Sequence, residues 1–521
     1  MGKAILGPRI TGNLRHWEER RRLARRRRKL GDRSMMSYDR ALGWITRYSQ
    51  PGGGVAQTSR SHTPYPEVTG YLIPTLFQFG DRDLAMAHAG WLRRQQRSDG
   101  SIPGPNGRPY TFDTGQALRG FLAALESDQS FEVAAAQAAE FVVSNISPEG
   151  EIHTPVPDDY VWSNGRRLPD TYLIYTLPPL FSAARLMGRK DWEDAAHHAL
   201  DHYLQRPDRF DPDQLSHFYA YIIEALVDLG EIEPTRVALE RLFESMRSDG
   251  SLPAYPNAGW TCSTGNIQFA LIGYKLGLRD RAERLYQWAE RMQSATGGFL
   301  GSYGRGAAYS ANEEISWAVK YFLDATLWRV KTGFNSEARL HPETLEASDS
   351  RLSVLVKLLG DLNGQKVVDL GCGKGRFGKA LLSRFSNCEL SGVDGSEAML
   401  RSVDGAFPVK AGSMLHLPFD PVSFDVAYAI ESFEHVLNVR GALHEVYRRL
   451  KPGGRFVVID KDSCCLGAVD LAPWEKWLSP AALRQSAQEA GFETVRQEQF
   501  TLTSDSPITF FAILFRKDRV A

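Results

Sequence analysis

The segment KVVDLGCGKGRFGKALL at residues 366–382 constrains the fold of this chain more than any other feature. A β-branched run ends in Asp369, and glycines follow at positions 371, 373, 375 and 378 before a helical stretch. Glycine is needed where a backbone turns sharply and lets a ligand approach it closely. The pattern predicts a strand, a tight turn and a helix that together bind a cofactor.

The same glycines are compatible with more than one cofactor. Gly373-x-Gly375-x-x-Gly378 also fits the fingerprint of NAD-binding folds. A ribose-bearing cofactor needs an acidic residue after the second strand to bond its diol, and Asp394 in LSGVDGSEAML supplies one. The glycine segment by itself therefore leaves NAD and another nucleoside cofactor as alternatives.

Three further features decide against NAD. Asp369 closes the strand in DLGCGKG, residues 409–436 contain LPF and SFDVAYAI, and residues 443–460 read LHEVYRRLKPGGRFVVID. As a set, across roughly residues 345–518, they resemble the motifs of class I S-adenosylmethionine (SAM)-dependent methyltransferases of the type-11, ubiquinone O-methyltransferase-like group. The resemblance implies an α/β Rossmann-like domain with a seven-stranded sheet.

The resemblance also implies which residues bind SAM: Asp369, Gly371, Gly373, Gly375, Asp394, Gly395, Ser413, Met414 and Glu431. Asp369 would help to hold the methionine moiety, and Asp394 would bond the ribose hydroxyls. Ser413 and Met414 would flank the adenine. Ser413 departs from the family pattern, since many relatives have aspartate there, but a serine hydroxyl still offers one hydrogen bond to the exocyclic amine.

Three candidate catalytic residues follow the predicted fourth strand in the order Glu431-Ser-Phe-Glu434-His435. The segment resembles the ExxEH segment of ubiquinone-pathway O-methyltransferases, which implies that Glu431, Glu434 and His435 ligate a divalent cation such as Mg or Mn. Without a metal, His435 would serve as a general base, because the ordinary pKa of histidine lies near neutrality. A third interpretation is a helix start with neither role, and all three stay open.

From Tyr38 to about Val330 the chain repeats with a period of roughly 45–50 residues. Each repeat has an amphipathic helical stretch, a Gly/Pro-rich loop and a more apolar helical stretch, as in residues 242–255 followed by 262–277. A helix that is apolar on all sides is expected to be packed on all sides. Six such hairpins that close on themselves give an all-α (α/α)6 toroid. This stretch resembles the barrels of six-hairpin glycosidases, polysaccharide lyases and prenyltransferase-repeat proteins.

In barrels of this kind the loops before the inner helices open onto the central cavity. The residues at such positions are candidates for substrate binding: Tyr65, Glu67, Asp113, Asp170, His217, Trp260, Glu313 and Glu314. Facing carboxylates would act as acid and base in glycoside hydrolysis, and aromatic rings would stack on sugars. The alternative is that these residues are helix caps and rim packing.

Composition restricts the partners. The 62 basic side chains equal the 62 acidic ones, so no charge surplus favours nucleic acid. No apolar run reaches the roughly 18 residues of a transmembrane helix. Five cysteines without CxxC spacing favour a cytoplasmic location. Residues 14–33 carry ten basic against three acidic side chains, which predicts a leader that is disordered or contacts acidic lipid peripherally.

We therefore expect four segments: a basic leader at 1–37, the toroid at 38–330, a linker at 331–350 and the methyltransferase domain at 351–521. The expected activity is SAM-dependent O-methylation of a glycan, a glycolipid precursor or a secondary metabolite that the toroid binds or processes. In one alternative the toroid is the main catalyst, a glycan lyase, hydrolase or epimerase, with an accessory methyltransferase. In another it is a non-catalytic docking module.

Overall fold

The computed structural model describes residues 35–155, 170–346, 348–503 and 506–519. The chain divides into a helical unit, Ser37–Gly333, and a C-terminal unit that begins at Phe334. Most of the predicted basic leader lies outside the described residues. Its proposed disorder or lipid contact therefore stays a prediction.

The helical unit contains twelve α-helices in its described part, and two of its connections carry the short antiparallel strands β1 (Trp260–Cys262) and β2 (Ser302–Gly304). A 3-10 segment at Asp170–Thr176 precedes α6. The helices are α1 (Ser37–Tyr48), α2 (Pro66–Gln78), α3 (Arg82–Gln95), α4 (Thr111–Leu125), α5 (Glu132–Ser144), α6 (Leu177–Met187), α7 (Lys190–Gln205), α8 (Ser216–Asp228), α9 (Ile232–Phe243), α10 (Ser263–Lys275), α11 (Arg279–Met292) and α12 (Ser316–Glu337).

Two kinds of helix alternate along this unit. Helix α10 buries every residue from Ser263 to Tyr274. Helix α11 buries one stripe, at Ala282, Leu285, Tyr286, Trp288 and Ala289. This is the spacing of an amphipathic helix with one face on the core and the other in water. The even-numbered helices are the more fully buried members of their hairpins.

Glycines allow neighbouring inner helices to approach closely. A Cβ atom on Gly70 of α2 would lie 2.5 Å from the backbone of Gln116 in α4, and one on Gly265 of α10 would lie 2.7 Å from the backbone of His217 in α8. Contacts also join the last inner helix to the first, since the Trp317 indole donates a hydrogen bond of 3.0 Å to Glu67.

The C-terminal unit alternates strands and helices. The expected linker, residues 331–350, holds the end of α12 and a 3-10 turn at Ala338–Leu340. The following elements are α13 (Ser350–Leu359), β3 (Lys366–Leu370), α14 (Arg376–Arg384), β4 (Glu389–Asp394), α15 (Glu397–Leu400), β5 (Val409–Ala411), β6 (Phe424–Ile430), α16 (Val439–Arg449), β7 (Leu450–Lys461), α17 (Pro480–Glu489), β8 (Phe492–Thr501) and β9 (Thr509–Lys517).

Seven strands form one mixed sheet in the order β5-β4-β3-β6-β7-β9-β8. The first five are parallel, and β9 runs antiparallel to both β7 and β8. The order reverses at β3, which lies between β4 and β6, and ligands of open α/β sheets bind beyond the carboxyl ends of the strands at such a point. The predicted Rossmann-like seven-stranded sheet is confirmed, whereas the closed toroid stays a prediction.

Two observations bear on location. Among the described residues no helix has both the length and the hydropathy needed to cross a membrane. All five cysteines carry free thiols, and the sulfur atoms of Cys464 and Cys465 lie 3.5 Å apart. The cytoplasmic location stays a prediction.

Candidate active site

The glycine loop between β3 and α14 has the left-handed backbone that glycine favours. The φ angles are +74° at Gly371, +53° at Gly373 and +75° at Gly375. A Cβ atom on Gly371 would lie 2.5 Å from the Cβ of Ser432, so the loop packs tightly there. A Cβ on Gly373 would meet no atom within 4 Å. The loop therefore leaves open space beside Gly373.

Asp369 lies at the end of β3, opposite Tyr428 of β6. It is 3% exposed, and its Oδ2 atom has no hydrogen-bond partner among the described residues. Burial raises the pKa of this carboxyl to about 7, although Tyr428 and Arg376 lower it. Buried polar atoms are normally paired, so this oxygen is suited to a donor on a ligand.

Asp394 ends β4 on the other side of the glycine loop. Its Oδ2 accepts a 2.8 Å hydrogen bond from the Gly373 amide, and its Oδ1 accepts one of 2.8 Å from the Ser396 amide. Each carboxylate oxygen can accept a second bond. Burial raises the pKa of Asp394 above its ordinary value. A ribose hydroxyl would find an acceptor here, immediately before Gly395.

Ser413 and Met414 follow β5. The Met414 methyl carbon lies 3.6 Å from the position that a Gly371 Cβ would take, so this side chain reaches the glycine loop. The Ser413 hydroxyl instead accepts a 3.1 Å hydrogen bond from the Leu415 amide within its own turn. The structure thus brings Met414 to the loop and leaves adenine contact by Ser413 a prediction.

Glu431, Glu434 and His435 lie just beyond β6 on one short segment. Glu431 has a φ of +51°, a left-handed conformation at which the backbone changes direction after the end of β6. The Lys461 ammonium lies 3.0 Å from Glu431 and 2.5 Å from Glu434. The imidazole Nε2 of His435 lies 3.6 Å from Glu434. These side chains are therefore neighbours, with a lysine between the two carboxylates.

The comparisons with known proteins agree with this geometry. A family described as a methyltransferase domain matches residues 368–458, which run from β3 into β7 and include the glycine loop, Asp394 and the Glu431–His435 segment. The C-terminal unit contains a SAM-dependent methyltransferase domain. The predicted choice of this class over an NAD-binding domain is confirmed.

Several curated methyltransferases resemble parts of the chain. Over 104 residues it is 34% identical to a sterol 24-C-methyltransferase of Candida albicans, which covers 18% of this chain and 27% of that protein. Over 170 residues it is 31% identical to the O-methyltransferase cnsE of Penicillium expansum, covering 29% and 61%. A solved geranyl diphosphate C-methyltransferase of Streptomyces coelicolor aligns at 18% identity over 32% of this chain and 75% of its own, with a TM-score of 0.29.

The chain spans between 27% and 61% of the length of these two curated relatives. Their names state different methylated atoms, carbon 24 of a sterol in the first and an oxygen atom in the second. The relatives therefore bear on the methyltransferase domain and leave its acceptor undetermined.

The proposed metal set of the methyltransferase domain does not fit its geometry. Among the described residues no group of three or more His, Cys, Asp and Glu side chains is placed to hold a metal ion. Glu431 is engaged by Lys461 and by Arg351, and Glu434 by Lys461. Because the lysine ammonium occupies the place between the carboxylates, the Mg or Mn interpretation lacks support.

His435 differs from a freely titrating histidine. Burial lowers its pKa to about 4, so the imidazole is neutral at pH 7. Its Nδ1 has no hydrogen-bond partner among the described residues. The ring packs edge-on against that of Phe334, with ring centroids 4.9 Å apart. The Phe334 ring in turn packs against Trp474, with ring centroids 5.6 Å apart. A neutral imidazole whose nitrogen has no hydrogen-bond partner can accept a proton, although a low pKa makes it a weak base.

Sequence reasoning missed the cations and aromatic rings around this segment. Arg351 and Arg376 both approach Glu431, Arg376 at 3.5 Å. Burial raises the pKa of Glu431, but Lys461, Arg351 and Arg376 outweigh it and hold that pKa below its ordinary value. Lys461 directly follows the predicted fifth strand in RFVVIDK, which was a usable signal. Arg351 lies 80 residues before Glu431, and no local pattern marks it.

The helical unit brings four of its eight candidate residues together. Burial and the neighbouring Asp113 and Glu67 raise the pKa of Tyr65, which places both carboxyls near this phenol. Glu67 accepts hydrogen bonds from the Tyr221 hydroxyl at 2.8 Å and from Trp317. Burial raises the pKa of Glu67 to about 7 against the effect of these donors.

His217 belongs to the same group. Its ring lies 4.4 Å from that of Tyr221, and its Nδ1 lies 3.2 Å from the Gln268 side-chain oxygen. Burial lowers its pKa to about 3, so it is neutral at pH 7. The resulting cluster of Tyr65, Glu67, Asp113, His217 and Tyr221 is here called the Glu67 cluster.

The other four candidates have local partners elsewhere. Asp170 pairs with Arg206 at 3.0 Å, and Trp260 packs against Tyr255 with ring centroids 5.9 Å apart. Thr58 donates to Glu313 at 2.5 Å. Glu314 accepts hydrogen bonds from the Trp44 indole at 2.7 Å and from Thr296. These bonds tie loops to helices, which favours the structural interpretation for Glu313 and Glu314.

Proposed function

We propose that the chain transfers the methyl group of SAM to an oxygen atom of a small-molecule acceptor. The observation that carries the proposal is that two carboxylates, those of Asp369 and Asp394, lie on either side of the glycine loop. Asp369 has a buried oxygen without a partner, and Asp394 is anchored on the Gly373 amide. An unsatisfied buried carboxylate oxygen costs free energy that a bound donor would recover. The amino group of SAM would be such a donor.

When bound, SAM supplies a sulfonium methyl group that is already electrophilic. The work left to the protein is to orient the donor, exclude water and receive a proton from a hydroxyl acceptor. Asp394 would bond the ribose hydroxyls, and Met414 would cover the adenine side of the loop. The Nδ1 of His435, which is buried and has no hydrogen-bond partner among the described residues, would receive the proton.

We propose that the helical unit, as a closed (α/α)6 toroid, binds the acceptor. The inner helices contact one another in sequence, and the last returns to the first through Trp317 and Glu67 and through Thr75 and Asp324 at 2.6 Å. The last outer helix likewise contacts the first, because Ser37 of α1 donates a hydrogen bond of 2.9 Å to Glu290 of α11. A ring of hairpins requires this return contact.

The Glu67 cluster is the proposed substrate-binding end of this toroid. Side chains in the first turns of the inner helices keep a small exposed fraction, 8% at Glu67 and 6% at Trp317. One turn deeper, Tyr71 and Tyr321 are 0% exposed, and Tyr175 of the 3-10 segment before α6 is 1% exposed. This gradient supports an opening at the amino ends of the inner helices with a floor of tyrosines. Aromatic rings and hydroxyls together suit a glycan or another hydroxylated ring compound.

Calorimetric titration of the full chain with SAM tests the proposed cofactor. The wild type should bind SAM, and Asp394→Ala should lose most of that affinity. Asp425→Ala is the matched control, because Asp425 is the second residue of the parallel strand β6 and pairs with Lys451 at 2.8 Å, away from the carboxyl ends of the strands. No binding by the wild type, or equal binding by Asp394→Ala, would overturn the proposal.

One observation favours a second candidate function, a glycan hydrolase or glycan lyase reaction in the helical unit. A carboxyl with a pKa near 7, such as that of Glu67, can act as a general acid at neutral pH. Asp113 and Glu67 both lie near Tyr65, so a second carboxyl is close by. Turnover of oligosaccharides by the full chain without SAM, abolished in Glu67→Gln, would support it. Absence of turnover by the wild type would eliminate it.

A further inference from the structure

Lys461 ends β7 and lies between the two carboxylates that the sequence offered as metal ligands. Its ammonium is 3.0 Å from the Glu431 Oε1 and 2.5 Å from the Glu434 Oε1. The side chain of Lys461 is 15% exposed and that of Glu434 only 2%, so the contacts are largely shielded from water. The ammonium satisfies oxygen atoms that a divalent cation would otherwise bind.

Two more protein cations lie beside Glu431. The second oxygen of Glu431 is engaged by Arg351 and Arg376. Both oxygens of Glu431 therefore face protein cations, and an additional divalent ion would meet repulsion from three positive groups.

The same lysine fixes the segment that carries His435. Glu431 and Glu434 are three residues apart, and Lys461 joins both to the end of the neighbouring strand. Between them, the Ser432 hydroxyl donates a 2.9 Å hydrogen bond to the carbonyl of Leu370 at the start of the glycine loop. The ammonium thus links the segment beyond β6 to the strand β7, and the Ser432 hydroxyl links the same segment to the loop beyond β3.

We propose that Lys461 is a built-in cation that replaces a divalent metal ion in the acceptor site and positions the Glu431–His435 segment. It acts as a positioning residue, through the two glutamates. The role of that segment in methyl transfer rests on the proposed function, whereas the replacement of a metal rests on the contacts of Lys461 alone. Removal of the ammonium should free the carboxylates of Glu431 and Glu434 to move together with the His435 imidazole around a divalent cation, since these are ligand types that such cations take.

Titration of the full chain with Mn²⁺, followed by electron paramagnetic resonance of the free ion, tests the proposal. Lys461→Ala should bind one Mn²⁺, and the added substitution Glu434→Gln should abolish this binding. The wild type and Lys461→Arg should bind none at this segment. Lys357→Ala is the matched control, since Lys357 also pairs with a glutamate of the same unit, Glu498 at 2.8 Å, but is 54% exposed.

Two results would overturn the proposal. One is Mn²⁺ binding by the wild type that Glu434→Gln removes. The other is a folded Lys461→Ala chain that binds no Mn²⁺. If Lys461→Ala does not fold, Lys461→Met retains the alkyl chain beside Trp477, 5.8 Å from the ammonium, and carries the same expectation.

SAM titration of the same samples separates this proposal from the proposed function. If the wild type does not bind SAM, this counts against methyl transfer but does not affect the Mn²⁺ result. For a wild type that does methylate an acceptor, kcat and KM should be unchanged by a chelator. In Lys461→Ala, kcat should fall while SAM affinity is retained, and Lys461→Arg should recover part of it.

Discussion

The Gly373 amide donates a 2.8 Å hydrogen bond to the carboxylate of Asp394, 21 residues later in the chain. This bond joins the loop after β3 to the end of β4 at the point where the strand order reverses. It fixes the loop while leaving one side of Gly373 open. Gly373 and Asp394, which look independent in the sequence, are thus joined in one part of the proposed cofactor site.

Alanine substitutions in the glycine loop should separate folding from cofactor binding. Gly373→Ala places a methyl group in open space, so its folding cost should be that of the left-handed backbone, about 1–2 kcal/mol. Its SAM affinity should fall about tenfold or more, because the methyl group takes cofactor space; a tenfold loss equals about 1.4 kcal/mol. Calorimetry and thermal unfolding measure the two effects.

Two other glycines provide the controls for this prediction. Gly364→Ala has the same left-handed backbone, with φ of +75° and open space, but precedes β3, so it should bind SAM normally. Gly371→Ala would bring its Cβ against Ser432 and should destabilise the fold by a further 1–3 kcal/mol or so. Normal SAM affinity in Gly373→Ala would contradict the assignment of this space to the cofactor.

Close packing of the inner helices predicts opposite effects at two helical glycines. Gly70→Ala would drive a Cβ to 2.5 Å from the Gln116 backbone and should destabilise the helical unit by about 1–3 kcal/mol. Gly43→Ala, on the exposed side of α1 with no atom within 4 Å, should stabilise it by about 0.5–1 kcal/mol. Denaturant unfolding followed by circular dichroism measures both, and equal effects would contradict the packing.

The methyltransferase fold was predictable because its signals are local. Asp369, the glycines and Asp394 lie within 26 residues, and each stands at or just after a strand end whose position the alternation of strands and helices already predicts. The place of Lys461 after a strand was predictable, but its role was not, since that role depends on β7 lying beside β6. The contact of Arg351 with Glu431 likewise joins residues that no local pattern connects.

The candidate site of the helical unit was only partly predictable for a related reason. Glu67, Glu313 and Glu314 look equivalent in sequence, because each stands near the start of an inner helix. Their hydrogen-bond partners in the structure show which of them belong to the candidate site. Glu314 is bonded by Trp44, an outer-helix residue 270 positions away, whereas Glu67 receives bonds from inner-helix residues. Such choices depend on how the hairpins pack, which a repeat period does not specify.

Asn335 supports the turn that follows Asp394, and its loss should weaken SAM binding moderately. Its side-chain oxygen accepts hydrogen bonds from the Ser396 hydroxyl at 2.8 Å and from the Ala398 amide at 3.3 Å. Asn335→Ala should lower SAM affinity about fivefold, the effect of roughly 1 kcal/mol. Asn335→Asp keeps the acceptor and should retain most of the affinity. Calorimetry compares the two, and equal losses would exclude a role for this oxygen.

The buried carboxyl of Glu67 should make the helical unit less stable as pH rises. Its pKa is about 7 in the folded chain against 4.5 for an ordinary glutamate, and burial is the main cause. The folded state therefore retains a proton that the unfolded state releases. The stability from this group is complete below about pH 4.5 and is lost as pH rises to about 7, a change on the order of 3 kcal/mol.

Amide hydrogen exchange of peptides from α2 and α12 at pH 5 and pH 8, corrected for intrinsic rates, measures this loss. Glu67→Gln is neutral at both values, so its protection should change less with pH than that of the wild type. Glu132→Gln is the control, because Glu132 lies exposed at the start of α5 and should leave the wild-type pH dependence intact. If the wild type and Glu67→Gln lost protection equally, Glu67 would not be the buried acid of the helical unit, and the proposed general-acid chemistry would lose its residue.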